Sequence, residues 1–218
     1  MKKCVIVGAG ECSIQKLKEQ LVLDSEDLCI AADGGMDYLL KAGVRPDMVL
    51  GDMDSVREAE ILGQFPVKKL PVEKDDTDML AAVKEGLASG YESFELYGAL
   101  GGRLDHTIAN IQCLLYLMNR GARGTIIGDM ERLLLIRNEK ILFRAGDYEK
   151  GRRLSVFAFG GDAYGVSETG LKYVLDDVTL KQEFPIGISN EFAGTDAVIE
   201  VKNGMLLLCI AENCCNLF

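Results

Sequence analysis

Four segments of the chain gather residue types that handle phosphate and metal. Asp33-Gly34-Gly35 and Gly51-Asp52-Met53-Asp54-Ser55 each follow a short apolar run. Lys74-Asp75-Asp76-Thr77-Asp78 and Gly98-Ala99-Leu100-Gly101-Gly102-Arg103-Leu104-Asp105-His106 each lead into a helical pattern. An Asp-Gly pair by itself is ordinary turn chemistry, and Asp54 or Ser55 could cap a helix starting near Val56. Three carboxylates within residues 75–78 exceed what one cap needs. Two carboxylates about 4 Å apart repel by roughly 1 kcal/mol in water and by several times that in a less polar cleft, so a cluster this dense implies a cation. Mg²⁺ prefers a few carboxylate oxygens, waters and substrate phosphates to a full protein cage, which makes a Mg-polyphosphate the expected partner. Residues 98–106 supply the complementary anion side. Their glycines let the backbone come close to a ligand, N–H groups at a helix start favour an anion, and Arg103 adds a fork of donors for phosphate oxygens.

The remaining candidates narrow the chemistry. Gly8-Ala9-Gly10 opens like a dinucleotide fingerprint, but Ser13 stands where the third glycine belongs, which leaves a small-residue turn at a strand end. Neither a G-x-x-x-x-G-K-[ST] loop nor a protein-kinase motif set occurs, so a phosphoryl-transfer enzyme must cradle phosphate in another way. His106 is the only histidine, which leaves little room for a Ser/His/Asp or metal-His site; it reads as a helix-start residue. The seven cysteines include no C-x-x-C pair and an adjacent Cys214-Cys215, so they suggest reduced core thiols rather than a disulfide framework or zinc site.

The elements that must position these residues follow from hydrophobic period. Apolar runs at 4–7, 28–32, 48–50, 94–97 and 125–127, each closed by Gly or Asp, predict strands, and 76–89 and 104–119 are the clearest helices between them. Leu104, Ile108, Ile111, Leu115 and Met118 predict one apolar stripe on the second helix. The alternation predicts an α/β N-terminal domain over residues 1–130 with a mostly parallel, Rossmann-like sheet, whose carboxyl-end crevice brings Asp33, Asp52 and Asp54 together. After residue 130 the pattern shifts to short strand candidates at 133–136, 141–143, 154–159, 172–180, 186–189, 197–201 and 205–210. An all-β sandwich or barrel domain over 131–218 is expected, with Asn203-Gly204 as a hairpin turn.

With 48% hydrophobic and 27% charged residues the chain has the material for a proper core. A formal net charge of −10 disfavours non-specific nucleic-acid binding, which depends on Lys and Arg neutralising phosphates. No apolar run approaches the eighteen or so residues of a membrane span, and the N-terminal apolar run is too short for a signal peptide, so a cytoplasmic, non-membrane protein is expected.

The four segments, in this order, resemble the motif series of the thiamine pyrophosphokinase family. Ser167-Glu168-Thr169-Gly170-Leu171-Lys172-Tyr173 and Ser189-Asn190-Glu191-Phe192 resemble that family's thiamine-side motifs. The resemblance implies an α/β domain, a β-sandwich, and a homodimer with active sites between subunits. It implies transfer of the diphosphoryl group of ATP to the thiamine hydroxyl, giving thiamine diphosphate and AMP. Mg²⁺ would be held by Asp52, Asp54 and Asp78, with Arg103 as a further catalytic group. Asp33, Gly34, Lys74, Asp75, Thr77, Gly101, Gly102, Arg103 and Asp105 would serve ATP and its phosphates, and Ser167, Tyr173, Ser189 and Asn190 would serve thiamine. The family often places tryptophan where this chain has Tyr173, which still offers a π-face. Two other readings stay open: a related diphosphokinase acting on a pterin-like alcohol, and a haloacid-dehalogenase-like phosphatase with Asp52 as nucleophile.

Overall fold

The computed structural model describes residues 2–51, 65–69 and 75–212. The chain divides into two compact units, Met1–Asp129 and Met130–Phe218.

In the first unit six strands, β1 (Cys4–Val7), β2 (Leu28–Ala32), β3 (Met48–Gly51), β4 (Val67–Lys69), β5 (Ser93–Tyr97) and β6 (Arg123–Ile127), run in the order β6-β5-β1-β2-β3-β4. Every pairing in this run is parallel. All four residues of β1 are buried, as expected of a strand covered on both faces. The helices are α1 (Ile14–Gln20), α2 (Gly35–Ala42), α3 (Asp78–Ala88) and α4 (Leu104–Met118). Val5, Val7, Leu17, Met36 and Leu39 belong to one core cluster that joins β1 to α1 and α2.

Helix α4 forms where expected, but it buries another face. Cys113, Leu114 and Leu117 are buried, whereas Leu104 and Ile108 are 72% and 51% exposed. The helix is apolar on two sides, and Gly124 of β6, which leaves space for Leu114 and Leu117, decides which side packs.

In the second unit β7 (Glu131–Arg137), β8 (Lys140–Phe143), β9 (Arg153–Ala158), β10 (Ala163–Thr169), β11 (Leu175–Leu180), β12 (Asn190–Glu191), β13 (Ala197–Asn203) and β14 (Met205–Ala211) form two antiparallel runs. Their orders are β12-β9-β14-β7 and β11-β10-β13-β8. Ile136, Leu154, Val156 and Leu208 from the first share a core cluster with Phe143, Val166, Ile199 and Val201 from the second.

Asn203-Gly204 is not a hairpin. β13 pairs with β10 and β8, while β14 pairs with β7 and β9, so the chain changes sheet at this point. Only Gly204 of the two residues has positive φ, which a type I′ turn would need at both. β7 and β8 change sheet in the same way at Asn138, and the two corners brace each other. Gly204 N donates to Asn138 Oδ1 at 2.9 Å, and Asn138 N donates to Gly204 O at 3.2 Å. The expected strand at 172–180 is confined to Leu175–Leu180, and 186–189 forms none, since Gly187 meets β9 through a single Val156 N to Gly187 O bond at 2.7 Å.

Candidate active site

The carboxyl ends of β1, β2 and β5 and the start of α3 surround a cleft of about 600 Å³ in the first unit. Of the expected ATP-site residues, Asp33, Thr77, Asp78, Gly101, Gly102 and Arg103 line it. Gly34, Asp75 and Asp105 do not, and Asp52, Asp54 and Lys74 lie outside the described residues.

Asp33 follows β2 with φ 50°, a left-handed conformation held by its N–H donating to Leu50 O at 2.8 Å. Its side chain is buried at the cleft wall, and Gly34 begins α2 without a side-chain cap. A Cβ on Gly51, the last residue of β3, would come within 3.1 Å of Asp33 Cα. The chain therefore passes tightly over Asp33 one residue before Asp52.

At the start of α3 the surplus of carboxylates is partly resolved within the protein. Thr77 is the cap, its Oγ1 accepting from Leu80 N at 3.1 Å. Asp76 accepts two bonds from Lys84 Nζ at 2.6 and 2.7 Å. Asp78, at the first helical position, lines the cleft, while Asp75 is exposed.

The glycines after β1 and β5 serve each other first. Gly8 N donates to Tyr97 O at 2.8 Å, Gly10 N to Gly98 O at 2.8 Å, and Glu11 N to Leu100 O at 3.0 Å. A Cβ on Gly10 would meet Gly98 O at 2.6 Å and Leu100 O at 2.8 Å, and one on Gly98 would strike the backbone of Gly8. Gly101, at φ 77°, accommodates the Glu11 side chain, whose Oε1 accepts from Gly102 N at 3.0 Å. Gly102, at φ 63°, has open space where a Cβ would be and is the glycine a phosphate could approach. Close approach to a ligand, expected of the whole loop, is thus concentrated at its end, and the earlier glycines lock two strand-end turns together.

Arg103 precedes α4, and its guanidinium forms a fork on Asp105, Nε to Oδ1 at 3.1 Å and Nη2 to Oδ2 at 2.6 Å. The Asp105 bond holds Arg103 above its ordinary pKa, and Arg103 in turn lowers that of Asp105. Both are exposed, so the pairing orients the guanidinium more than it stabilises the fold. His106 lines the cleft at the helix start.

Glu11, Tyr38 and Asn110 also line the cleft and were missed in the sequence. Asn110 Nδ2 donates to Ala99 O at 2.7 Å in a buried setting, tying α4 to the glycine turn. The one available signal was Glu11's position directly after Gly8-Ala9-Gly10.

In the second unit Ser167 Oγ accepts from Asp177 N at 3.1 Å, and Ser189, at φ 58°, donates its N–H to Ser155 Oγ at 3.0 Å. The Tyr173 ring is 60% exposed, with Lys172 Nζ 5.5 Å from its centroid. Asn190 is buried, and its amide engages the main chain of Tyr173 and the carboxylate of Glu168. Among the described residues no three His, Cys, Asp or Glu converge in a metal-binding arrangement, and none of the helices is long and apolar enough to cross a membrane.

Known proteins supply independent findings. Residues 19–133 match the family model for the thiamin pyrophosphokinase catalytic domain, and 140–206 that for the thiamin pyrophosphokinase vitamin B1 binding domain. Thiamine pyrophosphokinase of Bacillus subtilis (strain 168) is 31% identical over 194 residues, covering 85% of this chain and 87% of that protein. Thiamine pyrophosphokinase 1 of Oryza sativa subsp. japonica is 27% identical over 201 residues, covering 78% and 74% respectively. Among solved structures, the Bacillus subtilis thiamine pyrophosphokinase superposes with TM-score 0.87 at 24% identity over 97% of this chain and all of that one (100%). Yeast thiamin pyrophosphokinase does so with TM-score 0.78 at 15% identity over 97% and 86%.

Proposed function

Because the chain belongs to the thiamin pyrophosphokinase family, we propose that the cleft of its first unit holds Mg-ATP for diphosphoryl transfer. The chain is an ATP:thiamine diphosphotransferase, a transferase that takes ATP and thiamine to thiamine diphosphate and AMP. One observation carries the assignment to the cleft: Asp33, Thr77, Asp78, Gly102 and Arg103, from three separate loops, face one space. Within the same reading the first unit is a Rossmann-like nucleotide domain and the second a β-sandwich that takes thiamine. Six parallel strands in one unit and two antiparallel runs around one core in the other support that description.

The thiamine hydroxyl oxygen attacks the β-phosphorus of ATP, the bond from that phosphorus to the α–β bridging oxygen breaks, and AMP departs as the hydroxyl proton is lost. Such transfers need positioning and charge neutralisation more than covalent participation by the protein. Arg103, aimed by Asp105, would bind phosphate oxygens beside the open backbone at Gly102, and Thr77 would support them at the start of α3. Gly34, Lys74 and Asp75 would complete the ATP contacts.

Mg²⁺ suits the charge of this cleft. Glu11, Asp33, Asp76 and Asp78 all line the cleft, with Arg103 as its one Lys or Arg among the described residues, which leaves a polyphosphate short of countercharge. Asp78, together with Asp52 and Asp54, would hold the metal, whose bound charge would neutralise the transferred diphosphoryl group.

Tyr173 would offer its ring to thiamine, with Ser167 and Ser189 as further polar contacts and Asn190 acting through its bonds to the Tyr173 main chain. A homodimer belongs to the proposal as well. Exposed Leu104 and Ile108 in the first unit and Phe184, Ile186 and Ile188 in the second are apolar surfaces that a second copy could cover.

A pterin-like acceptor is not favoured, since the second half matches a vitamin B1 binding model, and neither is a phosphatase with Asp52 as nucleophile. The test is to supply Mg-ATP and thiamine and follow products. AMP should appear one-for-one with thiamine diphosphate, and ADP or free phosphate in its place refutes the transfer. Asp54→Asn should lower turnover by orders of magnitude in a folded protein; near-normal activity would remove Asp54 from the metal site.

A further inference from the structure

Glu168 is a carboxylate in the wrong place for solubility. It sits on β10, 1% exposed, on the strand that contributes Val166 to the apolar core of the second unit. A carboxyl group in such surroundings carries a desolvation cost that only good hydrogen bonding offsets. Oε2 accepts from Asn190 Nδ2 at 2.9 Å, and Oε1 is buried without a hydrogen-bond partner. Burial pushes the Glu168 carboxyl above the usual carboxylate range, with the Asn190 bond acting the other way.

Asn190 has no capacity left over. Its amide nitrogen donates to Glu168 and to Tyr173 O at 2.7 Å, and its amide oxygen accepts from Tyr173 N and Glu191 N, both at 2.9 Å. Two donors and two acceptor sites are the whole inventory of an asparagine side chain. A residue so occupied does not reach out to a ligand; it grips both main-chain polar groups of Tyr173. Lys172 N donating to Glu191 O at 2.8 Å and the Leu171–Phe192 bridge hold the same turn from either side. The Tyr173 ring meanwhile projects to solvent from this braced main chain, and Lys172 Nζ is kept by Glu191 at 3.0 Å.

We propose that Glu168 and Asn190 form a buried clamp that fixes the main chain at Tyr173, making Glu168 a positioning residue for thiamine. The proposal rests on thiamine binding against Tyr173. Replacing a purely structural Glu168 by an apolar residue of similar length would cost stability through the unpaired Asn190 N–H and leave thiamine binding unchanged. A clamp gives a different pattern.

The experiment measures melting, KM for thiamine, KM for ATP and kcat in Glu168→Met, Glu168→Gln, Tyr173→Ala and the Glu168→Met/Tyr173→Ala double variant. Glu168→Met should fold and raise KM for thiamine by about three- to tenfold, the worth of one hydrogen bond, while KM for ATP holds. Glu168→Gln, whose amide oxygen can still accept from Asn190, should restore most of that loss. In the Tyr173→Ala background, Glu168→Met should add no further rise, since the two act through one ring. An unchanged thiamine KM in Glu168→Met, or an equal rise with and without Tyr173, overturns the clamp. An unchanged thiamine KM in Tyr173→Ala instead overturns the placing of thiamine at that ring. Should Glu168→Met fail to fold, Glu168→Asp, which draws the acceptor back from Asn190 Nδ2 without adding a charge, must show a rise in the same direction for the clamp to stand.

Discussion

Replacing Gly10 by alanine tests whether the two glycine turns are locked to each other. The new Cβ would stand 2.6 Å from Gly98 O and 2.8 Å from Leu100 O, both backbone atoms that cannot rotate away. Restoring a tolerable separation of about 3.3 Å requires the 98–100 turn to retreat by roughly 0.7 Å. The Gly10 N to Gly98 O bond would stretch from 2.8 Å, and the Glu11 N to Leu100 O bond from 3.0 Å, each to or past the hydrogen-bonding limit of about 3.5 Å. Two weakened bonds, or equivalently moderate overpacking, cost about 2–3 kcal/mol. For a protein of this size the melting transition should fall by about 4–12 °C. Gly102 and Arg103 continue from the displaced turn, so KM for ATP should rise by about tenfold or more. The sign is decisive, because Gly10 is not among the positive-φ glycines and alanine there would otherwise stabilise by about 0.4–1 kcal/mol through the unfolded chain. Gly146→Ala, where nothing lies within 4 Å of the new Cβ, is the control and should melt unchanged or slightly higher. Scanning calorimetry and ATP kinetics on both variants decide the matter. If Gly10→Ala melts with or above the parent at unaltered KM for ATP, the turns are not interlocked.

Two more outcomes follow from buried groups. Asn110→Leu removes the 2.7 Å bond to Ala99 O and leaves a buried acceptor, so it should cost about 1–3 kcal/mol in thermal unfolding and raise KM for ATP; no change in either contradicts the tie. Burial pushes the thiols of Cys12 and Cys113 up to about 11 and that of Cys29 to about 12, from an ordinary 9.0. A native thiol that keeps its proton longer than the unfolded one contributes stability in full below about pH 9 and loses it as pH climbs through 11 to 12. The urea midpoint should therefore drop between pH 8 and 10.5, and by less in Cys29→Ala; equal drops in the two proteins rule Cys29 out as a source.

How much of this was legible depended on how local the signal was. The strands around Val5, Ile30, Val49, Leu96 and Ile126 announced themselves as apolar runs, because a covered parallel strand is apolar at nearly every position. β4 has only Val67–Lys69 and too little pattern to read. β10 was missed because Gly165, at φ 66°, breaks the alternation and Glu168 puts a charge on the core side. The extra reach given to β11 came from Lys172 and Tyr173, whose conformation is set by Asn190 from a distant part of the chain. α4 was found but its buried face was not, since a choice between two apolar faces is made by the sheet it meets. In the cleft, Asp33, Asp78 and Arg103 could be expected together from the strand-end rule for parallel sheets. Glu11 reaching Gly102 and Asn110 reaching Ala99 are contacts between elements, and no local pattern encodes them.

The sheet-changing corners at Asn138 and Gly204 also set a timetable for biosynthesis. β14 pairs with β7 along its whole length and with β9 from Leu206 to Ile210, and Met205 lies opposite Arg137, 68 positions earlier. While the ribosome still holds residues 205–211, β7 and β9 lack their shared neighbour and leave Ile136, Leu154 and Val156 without Leu206 and Leu208 between them. Pairings of such long span form slowly. Until β14 joins, the second unit keeps apolar surface of its two sheets uncovered, the kind of surface on which incompletely folded chains associate.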